Sequence, residues 1–360
     1  LFRPIKSPPA VENEPRTGKS TGPGLKTLAR GLALCAIAAA GFLGMAAALH
    51  RALPNAVPEI TPKLDYLKAH RADYDTLFVG SSRVYHGITP RVFDSVTAAA
   101  GKPTHTFNLG INGMQPPESL YVLRKALAIG LPHLHRVFLE IATVGPQPDT
   151  ANLTMRDIHW RDNAALLDGL RRSLLNATNP KSPQGLAGWQ AADNDLWATG
   201  LTYAQNEWNI GRLDLTTQLN KTANRLGDVM LGPDSDGYLP VSHPLAPESL
   251  QTLQRNLTAM RNGTVKQRDM DPLNKENYER IRDLLAKRGI ELVLISAPET
   301  VKNYHAWIDA PPGLRLLRFD DPVKYPELYV PEHRLDSDHV NNAGAQIFTR
   351  ELAQAWLAGK

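Results

Sequence analysis

Two short stretches near opposite ends of the chain hold residue types that can do nucleophilic chemistry. Gly80-Ser81-Ser82-Arg83 follows directly on Asp75–Gly80, an apolar run that reads as a buried strand. A serine just past such a strand stands at the ligand-binding edge of an α/β sheet, where its hydroxyl attacks a carbonyl if a base lies nearby. The plainer alternative is a serine capping the helix that follows. Position 84 is Val, so the G-x-S-x-G nucleophile elbow is excluded. At the other end, Asp336-Ser337-Asp338-His339-Val340-Asn341 precedes a convincing helix, and of the eleven histidines only His339 has Asp three positions before it. On that spacing a carboxylate can hold the imidazole N–H, fix its tautomer and stabilise the imidazolium. An N-cap role for Asp338 and a surface histidine are the competing readings.

Other constellations are weaker. His133-x-His135 sits in a proline-flanked loop without an acidic partner, so no metal site is expected. Gly18-Lys19-Ser20-Thr21 has Asn where a phosphate-binding loop needs its first glycine, and Gly110-Ile111-Asn112-Gly113 has the wrong spacing for a dinucleotide fingerprint. No cofactor is expected. Arg83 can clamp an anionic substrate, orient its loop, or simply lie on the surface. The single cysteine, Cys35, excludes a disulfide framework. It follows Leu34 near the start of an apolar run, which argues against a lipid anchor there.

The elements that must position these residues alternate. Strands are expected at 75–80, 104–109, 136–142, 290–295 and 314–319, and helices at 118–129, 275–287 and 342–357. Strands alternating with helices imply an α/β fold with a parallel sheet flanked by helices, and ligands at the carboxyl ends of its strands. Residues 150–274 show no clear strands and hold Trp160, Trp189, Trp197 and Trp208, so a mostly helical insertion or cap is expected there. Those tryptophans can stack on sugar rings or fill a small helical core. The α/β domain therefore divides into 75–149 and 275–360 around the insertion, with a proline-bearing linker over 51–74.

Residues 1–30 carry six Lys/Arg and two Glu, while the rest of the chain holds 34 basic and 34 acidic groups. A neutral body has no electrostatic footprint for nucleic acid. Residues 1–27, rich in Pro, Gly, Ser and Thr, read as a disordered basic tail. An uncharged run of 19 residues, 31–49, follows. It spans ~28 Å, close to the ~30 Å hydrocarbon core, so a transmembrane helix is expected over 28–50. A cleaved signal sequence ending at Ala46-Ala47-Ala48 is the rival. The basic flank predicts a cytoplasmic N-terminus and an exported body. The Ala-rich segment points to a bacterial cytoplasmic membrane, so the five Asn-x-Thr sequons are discounted.

The two chemistry-bearing stretches, taken in order, resemble the first and last sequence blocks of the SGNH, or GDSL-like, serine hydrolases. Gly80-Ser81-Ser82 stands for Gly-Asp-Ser, which makes Ser82 the nucleophile, with His339 as base and Asp336 orienting it. Phe107-Asn108-Leu109-Gly110-Ile111-Asn112-Gly113 resembles the second block, whose oxyanion-hole glycine maps onto Gly113. The family's Gly-x-Asn-Asp block is replaced by Glu140-Ile141-Ala142-Thr143-Val144-Gly145; Asn112 is the preferred spare oxyanion donor and Thr143 the other. The resemblance covers 75–144 and 275–345 and implies a flavodoxin-like, SGNH-type sheet. The GSS variant looks like the membrane-anchored branch that includes teichoic-acid D-alanyl transfer proteins, with alginate O-acetylation proteins more distant.

The resemblance implies a membrane-anchored extracytoplasmic serine esterase or O-acyltransferase, with its catalytic domain periplasmic or extracellular. The substrate would be an acyl ester, with a cell-envelope glycan as the expected target. The lipid bilayer and a polytopic membrane acyltransferase are the expected partners. A non-catalytic envelope scaffold, motivated by the missing Asn, is the alternative.

Overall fold

The computed structural model describes residues 25–52, 57, 59–114, 116–141, 226–262, 266–268, 270, 272–300, 306–308 and 310–359, with positions 156, 160, 166–171, 174, 196, 197 and 200. The chain forms two units, Leu1–Met45 and Ala46–Lys360. Most of helix α1, which runs Leu25–Ala52, belongs to the first. Its stretch Thr27–Met45 has a mean hydropathy of 1.8 with no part of it buried, long and apolar enough for a membrane anchor or a signal sequence. The rest of the expected tail lies outside the described residues.

The second unit is built on short apolar runs. The expected strands form as β1 (Thr76–Gly80), β2 (Thr106–Gly110), β3 (Arg136–Glu140), β5 (Glu291–Ser296) and β7 (Arg315–Arg318). All neighbours pair in parallel, in the order β2-β1-β3-β5-β7. Two further strands, β4 (Lys266–Arg268) and β6 (Ala306–Ile308), pair as a separate parallel ribbon. The sequence reading expected neither: three residues are too few for periodicity to register.

Burial of both faces explains why the middle of each strand is mostly apolar. Leu77, Val79, Phe107, Leu109, Val137, Leu139, Leu292 and Leu294 point to one face, and Phe78, Phe138, Val293, Ile295 and Leu317 to the other. Helices α2 (Thr61–Ala69), α5 (Pro116–Ala128) and α8 (Pro272–Ala286) contribute to the first core. The second draws on α4 (Pro90–Ala99), α7 (Pro247–Arg261) and α9 (Asn342–Leu357). Of the insertion's tryptophans, Trp160 packs against the first core, Trp197 is exposed, and Trp189 and Trp208 lie outside the described residues. Two helices flank the site, α3 (Ser82–Tyr85) and α6 (Leu226–Leu231).

The second core is centred on an aromatic cluster. Phe138 stacks on Phe78 with centroids 4.5 Å apart and meets Phe93 edge-on at 5.4 Å. Phe138→Ala is expected to lower stability by about 3–5 kcal/mol, because the strand backbone cannot collapse into the void. Denaturant unfolding monitored by circular dichroism measures this directly.

Candidate active site

The nucleophile turn is shaped by groups far away in sequence. A Cβ at position 80 would fall 2.6 Å from Glu140 Oε2, so the β1 end must be glycine to let Glu140 approach. The buried Glu140 carboxylate accepts the Ser81 N–H at 2.6 Å and the Arg83 Nε–H at 2.6 Å. Ser81, not Ser82, caps α3, its Oγ accepting from the Arg83 amide at 3.3 Å. That leaves the Ser82 hydroxyl available. The wholly buried Asn108 on β2 donates to the carbonyls of Val84 and Ile88 at 2.8 and 2.7 Å, stapling α3 and its exit to the sheet.

Ser82 Oγ lies 2.7 Å from His339 Nε2. On the far side of the ring, Nδ1 is 2.9 Å from both Asp336 oxygens. An ionised carboxylate only accepts, so Nδ1 carries the proton; in the neutral ring Nε2 is then the acceptor for the Ser82 hydroxyl. Asp336 Oδ1 also accepts the amides of Asp338 and His339, at 2.7 and 2.8 Å. Burial pushes the Asp336 carboxyl up, but the hydrogen bond and charge of His339, with the two amides, outweigh it and hold the group below its ordinary 3.8. Three of the sequence-expected residues, 257 positions apart at their extremes of contact, thus form one hydrogen-bonded chain.

The second-block turn lies at the carboxyl end of β2. Gly113 has φ +68°, a conformation that L side chains rarely adopt, and is exposed. Among the described residues, the amides of Ser82 and Gly113 donate to no protein group. The Asn112 carboxamide meets His86 Nε2 at 2.9 Å. His86 Nδ1 is 2.8 Å from the Leu239 carbonyl, which only accepts, so Nδ1 is protonated. Burial lowers the His86 pKa from 6.5, against the hydrogen bonds to the Leu239 carbonyl and Asn112 and with the charges of His339 and Lys63. The Asn112 atom set against Nε2 is Oδ1, an acceptor, which leaves the carboxamide NH2 uncommitted to His86. From the insertion, Arg156 donates to the Asn112 carbonyl at 2.5 Å and grips Glu118 with two bonds of 2.6 and 2.8 Å. Thr143 lies outside the described residues.

Beneath this turn, Lys63 is wholly buried and its ammonium donates to the carbonyls of Asn108, Gly110 and Gly237 at 3.1, 2.7 and 2.7 Å. It also lies 3.9 Å over the Tyr85 ring. Burial drives its pKa well below 10.5, against the attraction of Asp236.

Arg83 is held by two carboxylates, Glu140 and Glu299. These two pairs tie Arg83 across the floor of the site, as a residue that orients its loop would be. A small cleft of about 190 Å³ lies at Ser82, lined by His86, Gly87, Pro298, Asp338, His339 and Val340 besides Ser82 and Arg83. No group of metal-ligating side chains is found among the described residues. Glu140, Glu299, Lys63 and His86 were missed in the sequence reading. Only Glu140 had a local signal, as a charged residue ending an otherwise apolar strand. Glu140→Ala is expected to destabilise the fold by about 3 kcal/mol, since it strips a buried partner from Arg83 and orphans the Ser81 amide. Thermal and urea unfolding measure the loss.

Comparison with known proteins finds no matching family model, no matching curated protein and no matching solved structure.

Proposed function

We propose that this chain is an SGNH-type serine esterase or O-acyltransferase, held by α1 at the outer face of a bacterial cytoplasmic membrane and acting on acyl esters of an envelope glycan. The observation that carries this reading is the hydrogen-bonded chain from Ser82 through His339 to Asp336. The strand order supports it. Counting only the strands of the main sheet, the order is second, first, third, fourth, fifth, the flavodoxin-like order, and Ser82 lies just past the end of the first strand, at the point where the order reverses.

In this reading Ser82 Oγ attacks the acyl carbonyl carbon while His339 Nε2 takes the hydroxyl proton. The carbonyl π electrons move onto oxygen, where the Ser82 and Gly113 amides, with Asn112 on the same turn, stabilise the charge. Collapse breaks the bond to the alcohol oxygen, which receives the proton from His339. The acyl-enzyme then passes to water in hydrolysis, or to a glycan hydroxyl in transfer. A polytopic membrane acyltransferase is the partner that would supply the acyl group.

Full-length protein in detergent micelles, offered short-chain 4-nitrophenyl esters with and without envelope glycan, tests the reading. Release of nitrophenol, with acyl groups appearing on the glycan for a transferase, is the expected result. A folded protein that neither hydrolyses nor transfers would refute it.

A further inference from the structure

For Ser82 to reach His339, two irregular loops must be held at the right separation. The segment Ala297–Thr300, at the carboxyl end of β5, lies between them. Towards the nucleophile turn, Glu299 pairs with Arg83, the neighbour of Ser82. Towards the His339 loop, the Thr300 hydroxyl donates to the Ser337 carbonyl at 2.7 Å. Asn256 on α7 steadies Thr300 in turn, its Nδ2 lying 3.1 Å from the hydroxyl.

Arg334 completes this bridge. Among the described residues it is the largest side chain with no exposure. Its Nη1 donates to the carbonyls of Pro298 at 3.0 Å and Leu328 at 3.3 Å. Its Nε donates to the Asp336 carbonyl at 3.2 Å and its Nη2 to the Ser337 carbonyl at 2.6 Å. The guanidinium also lies over the Tyr329 ring, 5.5 Å from its centroid. Four carbonyl oxygens from three segments thus converge on one planar fork, and two of them, those of Asp336 and Ser337, belong to the loop that joins Asp336 to His339. The loop closes on itself just outside this fork, through the Arg334–Val340 bridge and the Leu335 amide on the His339 carbonyl at 2.9 Å.

An apolar side chain of similar volume would fill this space without desolvating a charge. What the guanidinium adds is direction: five N–H donors in a rigid plane, a geometry that lysine's three cannot match. We propose that Arg334 is a positioning residue for the Ser82–His339–Asp336 chain, tying the Asp336 and Ser337 carbonyls to Pro298 and so fixing the His339 loop against the nucleophile turn. The proposal rests on the acyl-transfer reading for its consequence in rate, though not for the geometry it assigns.

The test uses full-length protein in micelles, as wild type, Arg334→Ala and Arg334→Lys, with three readouts. These are the rate of Ser82 labelling by a fluorophosphonate, the downfield proton resonance of the His339–Asp336 hydrogen bond, and thermal unfolding. A displacement of about 1 Å costs on the order of 10²-fold in rate. Folded Arg334→Ala is expected to label about that much more slowly and to lose the downfield resonance. Millimolar guanidinium ion, which fits the vacated fork, should restore both in part, where the same concentration of neutral urea does not. Arg334→Lys should fall between. A folded alanine variant with wild-type labelling and resonance would overturn the proposal, as would equal rescue by urea. If the alanine variant does not fold, the lysine variant decides: wild-type labelling and resonance in it overturn the proposal, and a loss of both supports it. If wild type itself does not label, the acyl-transfer reading fails while the resonance still reports on Arg334.

Discussion

Ser82→Ala is expected to abolish ester turnover, lowering kcat by about 10⁶-fold, while leaving the fold intact. The size of the effect follows from removing the nucleophile of a unit whose members act together. The retention of structure follows from the local geometry. Ser81 rather than Ser82 caps α3, and the turn is fixed by Glu140 and Asn108, neither of which touches the Ser82 hydroxyl. The lost hydrogen bond to His339 is worth about 1 kcal/mol at most. Ester hydrolysis and circular dichroism on the same preparation check both halves. Ser81→Ala serves as the control, expected to lose helix-cap stability of about 1 kcal/mol and to keep turnover.

The second large effect is expected from Asp336→Asn. Oδ1 of Asp336 accepts two backbone amides, so an asparagine oxygen stays on them and its NH2 takes the place of Oδ2, 2.9 Å from His339 Nδ1. Nδ1 then faces an NH2 donor where it had a second acceptor, with Oδ1 at the same 2.9 Å, and the balance shifts towards the ring with its proton on Nε2. A protonated Nε2 cannot accept from Ser82. The wrong tautomer lowers kcat by about 10⁴-fold with the side chains barely displaced. The same substitution changes the response to acid. The Asp336 carboxyl lies below 3.8 in the folded protein, so its contribution to stability is complete above pH 3.8 and is lost as pH falls through the lower folded value. Asp336→Asn removes that pH-dependent contribution, so the difference in stability from wild type should shrink as the pH is lowered into that range. Unfolding titrations between pH 7 and pH 3 read it out.

What could be read from the sequence was local. The main-sheet strands announce themselves because their central positions are buried on both faces and mostly apolar, as Leu77, Phe78 and Val79 show. Asp336 and His339 stand three residues apart, so their pairing needs no tertiary information. Ser82 was legible from its place at a strand end, but its competing role as a cap was resolved only by seeing Ser81 take it. The residues that hold the site together were not legible. Arg334 and Lys63 belong to residue types that are mostly exposed, yet both are buried among carbonyls that no spacing rule brings to them. Glu140 and Arg83 meet across 57 positions, and Asn112 finds His86 only once β1 and β2 pair. Insertion residues 150–155 and 201–225 lie outside the described residues, so the expected cap is represented here mainly by Arg156, Trp160, α6 and α7.

The central claim is that Ser82 is an activated nucleophile with His339 as its base. The most direct measurement is to treat the full-length protein with a fluorophosphonate and map the adduct by peptide mass. The account predicts one adduct, on Ser82, present in wild type and Ser81→Ala, absent in Ser82→Ala and strongly slowed in His339→Ala. A folded wild-type protein that forms no adduct, or one that forms it on a serine other than Ser82, would contradict it.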